Sequence, residues 1–194
     1  MPEKAALSRG DDRRWIRAKG DIVPKDYRIV IDDASIQSSD DVFDIADPMW
    51  WTIEFHDDPE TYARTGASFT PEQRQLHAML WYMSEVHNGG HSQFYSNSTG
   101  MVWRCALDGF DHFGLPGFQA ILAESVSRFG ETPPSLDRDT RNQRLDAIEE
   151  AGVHFDDLDE ALWALAESEA VDDRLLDYVK RNPGPFHFDG VVRH

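Results

Sequence analysis

Between Thr70 and Asn97 the chain spells out a helix with a marked start and a marked interruption, and any fold has to be built around it. Thr70-Pro71-Glu72-Gln73 has the spacing of a capping box with proline at the first helical position. Leu76, Met79, Leu80, Met83 and Val86 follow on one face at helical spacing. Asn88-Gly89-Gly90 then supplies residues that tolerate positive φ, so the spacing predicts a break after which a helix resumes through Gln93, Phe94 and Asn97.

Downstream, the apolar stripes continue at helical period. Val102, Cys105, Ala106, Phe110 and Phe113 predict a helix behind a Ser98 or Thr99 cap, ended by Gly114. Phe118 to Phe129 predicts the next, closed by Gly130, and Pro133-Pro134 a loop. Arg138 to Glu150 reads as a largely exposed helix with Leu145 and Ile148 inward. Leu158 to Leu165 reads as a helix capped by Asp156 or Asp157, and Val171 to Val179 as the last, with Lys180 and Arg181 near its negative end. Upstream, Val42 to Phe55 suggests helical pieces interrupted at Pro48, and Tyr27-Arg28-Ile29-Val30-Ile31 a short strand or an extended segment. The expected fold is all-α: a single-domain, irregular bundle of about six to eight helices with a short N-terminal extended segment.

Charge is uneven. Residues 1–28 carry eight Lys/Arg against five Asp/Glu, a basic and weakly structured head, while 29–194 carry 11 against 31, an acidic body of net −20. A hydrophobic fraction of 40% with 6 Trp and 11 Phe argues against disorder despite the net charge of −17. Such a body repels nucleic acid and anionic membrane and attracts basic partners, although plain solubility accounts for acidity equally well. No stretch approaches the roughly 20 apolar residues that span a bilayer. Met1-Pro2-Glu3-Lys4 lacks the apolar core of a secretory signal, and one cysteine, Cys105, forms no internal disulfide. A cytoplasmic protein is the expectation.

Catalytic patterns are sparse. His77, His87 and His91 are the nearest approach to a metal constellation, but the glycine pair separates the last two and Asn88 stands where a metalloprotease glutamate belongs. Gly90-His91-Ser92-Gln93-Phe94 lacks the closing glycine of a nucleophile elbow. No phosphate-binding glycine loop, dinucleotide fingerprint or calcium loop is present, so no cofactor is expected. Glu85, Asn88, Gly89, Gly90, His91, Gln93 and Asn97 are therefore read either as a hydrogen-bonded clasp setting the angle between two core helices or as a small ligand pocket.

The residues Trp81-Tyr82, Glu85-Val86, Asn88-Gly89-Gly90-His91, Gln93-Phe94-Tyr95, Asn97 and Gly100 resemble the central motif of a bacterial DNA-mimic-protein-like family. The likeness extends through Ala106-Leu107, Phe129-Gly130, Leu158-Asp159 and Tyr178, Asn182-Pro183 and Phe186, covering roughly residues 45 to 188. The resemblance implies a homodimeric mimic that blocks the DNA-binding surface of a transcription regulator. A mimic needs carboxylates spaced like phosphates, about one charge per 1.7 Å of duplex axis. The acids expected on such a face, chosen as least needed for capping, are Asp32, Asp33, Asp40, Asp41, Asp57, Asp58, Glu149 and Glu150. Two other readings stand beside it: an immunity or antitoxin-like protein covering a basic toxin such as a nuclease, and an enzyme acting at Glu85 to Asn97.

Overall fold

The computed structural model describes residues 26–55 and 58–193. Most of the basic head, residues 1–25, and the candidate acid Asp57 lie outside that portion. Among the described residues the chain is all-α, with nine helices and one two-stranded sheet.

The helices follow from their caps. Asp32 accepts from Ser35 N in a full capping box and starts α1 (Asp33–Ser38), Asp41 accepts from Phe43 N and starts α2 (Val42–Thr52), and Asp58 accepts from Glu60 N and Thr61 N at the head of α3 (Pro59–Gly66). Three aspartates chosen as surface charges are thus the caps that divide this region into separate short helices, which takes the count above the six to eight expected. Pro48 does not interrupt α2. Its ring is buried within a continuous helix, where apolar packing offsets the hydrogen bond that proline cannot donate.

Helix α4 (Pro71–Ser96) is the axis of the bundle. Thr70 and Gln73 close the expected capping box, and Gly89 and Gly90 break the helical geometry as expected, with φ of −156° and 78°. Around α4 stand α5 (Trp103–His112), α7 (Arg138–Glu150), α8 (Asp156–Glu169) and α2, while α6 (Pro116–Ser127) packs on α5 and α8. Leu76, Met79, Leu80, Val86 and Phe94 of α4 are all within 1% of complete burial. Removing such side chains from water stabilises the fold by about 1.5–3 kcal/mol each. Neither Ser98 nor Thr99 caps α5: a 3-10 turn over Ser98–Val102 precedes it, and Thr99 is bonded elsewhere. Likewise Phe155 occupies the cap position of α8, and Asp156 and Asp157 lie in its first turn. There their charge faces the positive end of the helix.

The extended segment is a strand. β1 (Asp26–Ile31) pairs antiparallel with β2 (Phe188–Arg193), matching Ile29 with Gly190 and Ile31 with Phe188. Arg28 adds an exposed two-pronged pair with Asp189 at 2.7 and 2.6 Å.

Between α8 and α9 (Val171–Arg181), Ala170 adopts φ 45° and ψ 56°, and it is the one non-glycine residue with positive φ among those described. A left-handed alanine costs roughly 1–2 kcal/mol that glycine avoids. Ala170→Gly is expected to stabilise the protein by about 1 kcal/mol, a rise of about 2–4 °C in melting temperature for a chain of this size. An unchanged or lowered midpoint in differential scanning calorimetry would count against strain at this junction.

Candidate functional site

The break in α4 splits it into two halves, and the side chains of the Glu85–Asn97 motif join them. Glu85 belongs to the last turn of the first half and is 8% exposed. Its Oε2 accepts from Gln93 Nε2 at 2.7 Å and Asn97 Nδ2 at 2.9 Å, and its Oε1 from Thr99 Oγ1 at 2.7 Å. Every donor comes from beyond the glycines. One buried carboxylate therefore ties the second half of α4 and the following turn to the first, the clasp geometry.

Two further carboxylates hold the start of the second half. Asp159, in the first turn of α8, accepts through a single oxygen from His91 N at 2.9 Å and His91 Nδ1 at 2.5 Å. A restarted helix exposes its first N–H groups, and Asp159 caps them from another helix. On the other side of the ring, Nε2 of fully buried His91 lies 2.8 Å from the Tyr82 hydroxyl, within hydrogen-bond reach. Burial above all holds that phenol far above its ordinary pKa, so it keeps its proton. Ser92 Oγ donates to Glu149 at 2.6 Å, which brings α7 onto the same junction. On the N-terminal side of the break, Trp163 Nε1 donates to the Val86 carbonyl at 3.3 Å.

Asn88 is not part of this network. It is exposed beside exposed His87, at the edge of a groove, and Gly89 is exposed too. Nor do the three histidines converge. His77 is fully buried and accepts from Trp81 Nε1 at 2.9 Å, with burial lowering its pKa to about 3. His91 is spent on Asp159 and Tyr82, and His87 faces outward. Among the described residues no group of three or more His, Cys, Asp or Glu side chains is arranged to hold a metal ion. Cys105 is half-buried, and its thiol is pushed up to about 11, chiefly by burial.

Two residues essential to the junction are absent from the sequence reading as site residues. Asp159 carries a signal only in the Leu158-Asp159 likeness. Arg141 is fully buried, donating to the carbonyls of Tyr95 (2.7 Å), Asn97 (2.7 Å), Ser135 (2.8 Å) and Leu136 (3.0 Å). It stands four residues before Leu145 and seven before Ile148, on the inward stripe of α7, and that spacing was its signal. A Cβ at Gly100 would lie 2.7 Å from Arg141 Nε and 2.6 Å from the Phe94 carbonyl, so only glycine leaves room for the guanidinium.

Glu85→Ala is expected to destabilise the fold by about 3 kcal/mol, because three donors, that of Thr99 buried and those of Gln93 and Asn97 half-buried, lose their acceptor. A urea midpoint within error of the parent would mean that Gln93, Asn97 and Thr99 find other partners.

The candidate acids are spread over several elements: Asp32 and Asp33 stand at the start of α1 and Asp40 and Asp41 just before α2, with Asp33 Oδ1 2.7 Å from His187 Nε2. Asp58 heads α3, where it also accepts from Thr61 Oγ1 at 2.6 Å. Glu150 is exposed at the end of α7, while Glu149 is half-buried and held by Ser92. Asp41 lies near Asp172, whose pKa is raised first by desolvation and then by the charges of Asp41 and Asp173. No described helix is long and apolar enough to cross a membrane.

A protein-family model described as DMP19-like protein matches residues 67–182, from the head of α4 through α9. No curated protein matches, and no solved structure matches. The matched span holds the kinked helix, the Glu85 clasp, Asp159 and Arg141, and covers more than half of the sequence: the chain belongs to the DMP19-like protein family.

Proposed function

We propose that this protein is an acidic protein-binding protein that acts as a DNA mimic, occupying the DNA-binding surface of a basic partner such as a transcription regulator. Membership in the DMP19-like family supports a mimic role. The observation that carries the reading is the division of labour among carboxylates. Glu85 and Asp159 are spent inside the junction, whereas the acids of α1, α2, α3 and the α7 end stand at the surface of a body with net charge −20. Anions presented from a rigid helical frame hold a fixed spacing, which is what a surface evolved for phosphates can recognise. Capping is compatible with display: Asp32 and Asp58 are exposed while one face of each carboxylate accepts backbone N–H groups. The Ser35 N–H above all lowers the Asp32 pKa from its ordinary value, and the Thr61 hydroxyl, followed by the Glu60 N–H, lowers that of Asp58, so the charges persist in mild acid. Glu85, Gln93 and Asn97 are taken up by one another and His91 by Asp159 and Tyr82, which supports a structural role for them over an enzymatic one. By the same family resemblance the working form is a homodimer.

The test is capture from the host lysate with the intact chain, followed by competition. The expected result is a DNA-binding protein retained at 50 mM salt, released steeply as salt rises, and displaced by its own duplex, since counterion release governs such contacts. Recovery of no DNA-binding protein at low salt, or retention indifferent to competing duplex, would overturn the reading.

A further inference from the structure

A groove of about 580 Å³ runs between α2, the first half of α4, α8 and the start of α9. Its floor is apolar, formed by Phe43, Leu80, Met83, Leu162 and the ring of Trp163, which is 43% exposed. Glu167, Asp172 and Asp173 line one side, and among the described residues no Lys or Arg does. The Asp172 carboxyl is raised from its ordinary value, first by the atoms packed around it and then by the negative charge of Asp41 and Asp173. Carboxylates crowded in this way gain from a cation placed among them. The fitting occupant is therefore basic and carries a large apolar side chain.

The chain contains one such segment, Arg13-Arg14-Trp15-Ile16-Arg17, in a stretch where residues 1–25 hold seven Lys/Arg against four Asp/Glu. The eleven residue-to-residue steps from Trp15 to Asp26 can span up to about 36–40 Å. That reach starts at β1, which leads directly into α1 and α2, the helix that supplies Phe43 to the groove. We propose that the Arg13–Arg17 segment of this chain seats in the groove between α2, α4, α8 and α9, with Trp15 on the apolar floor and its arginines against Glu167, Asp172 and Asp173. Tethering supplies an effective concentration in the millimolar range, so modest contacts suffice to fill the site.

The experiment uses the full-length chain with the photo-crosslinker benzoylphenylalanine at position 15 (Trp15→benzoylphenylalanine), irradiated at micromolar concentration in about 100 mM salt, with crosslinks mapped by mass spectrometry. It involves no partner, so its outcome is independent of the mimic reading. Intramolecular crosslinks to Met83, Leu162 or Trp163 are expected, falling at least threefold when Glu167→Lys and Asp173→Lys are added. Both residues are exposed, and circular dichroism checks that the fold is kept. Crosslinks scattered over other surfaces, crosslinks between two chains, or a yield unaffected by the charge reversals would overturn the proposal.

Discussion

Arg141→Met is expected to lower stability by about 5 kcal/mol, a fall in melting temperature of roughly 10–20 °C, and to do so without any change at the acidic surface. The guanidinium is wholly buried and donates to four carbonyls: Tyr95 and Asn97 where α4 ends, and Ser135 and Leu136 in the loop before α7. The last carbonyls of a helix have no partner within it, so Arg141 supplies from α7 what α4 lacks. Methionine matches much of the volume but none of the donors, and each stranded carbonyl costs about 1–3 kcal/mol. With total stability near 5–15 kcal/mol, this single change brings the chain close to unfolding at 37 °C. Arg141→Lys separates shape from charge: a point ammonium cannot reach four acceptors spread across a planar fork, so most of the loss should remain. A midpoint within 3 °C of the parent for Arg141→Met would show that water or neighbouring N–H groups satisfy those carbonyls.

What the sequence revealed and what it hid divide along the range of the interaction. The capping box at Thr70, the glycine break, and the ends of α5 and α6 at Gly114 and Gly130 are written within four or five residues, and the structure has them where the sequence placed them. Strand β1 was ambiguous because its partner β2 lies some 160 residues away, and pairing is decided by tertiary register instead of by local preference. Aspartates misled for another reason. Paired acids such as Asp32-Asp33 and Asp40-Asp41 look like surface charge, yet one member of each pair caps a helix, and the sequence does not separate the two roles where the following helix is short. At the site, the convergence of Gln93 and Asn97 on Glu85 was legible from helical spacing, whereas Asp159 was not, because it arrives from α8 across 68 residues. Asn88, which its position before the glycines groups with the clasp-or-pocket set, is exposed at the edge of the groove.

Gly90→Ala should be the most damaging change available within the motif itself, at about 4 kcal/mol, and its effect should travel through Asp159. Gly90 has φ 78° and ψ −180°, a region essentially closed to residues with a Cβ, so strain alone costs about 1–3 kcal/mol. The added methyl would also sit 2.3 Å from Asp159 Oδ2 and 3.0 Å from its Cγ. Either the backbone leaves this conformation, which breaks the alignment of Gln93 and Asn97 on Glu85, or the Asp159 carboxylate moves off, which strips the acceptor from His91 N and Nδ1. In the second case the imidazole and the start of the resumed helix lose their shared partner in a buried site, at a further cost of about 1–3 kcal/mol. The two routes are separable by a double-mutant cycle with Asp159→Ala, which removes the clashing carboxylate. If the clash dominates, alanine at 90 should cost markedly less in that background, with a coupling of 1 kcal/mol or more. If backbone strain dominates, the two losses should add within about 0.5 kcal/mol. A Gly90→Ala protein as stable as the parent would mean that the break in α4 does not require a left-handed residue, and the interlock of α4 with α8 at His91 would lose its physical basis.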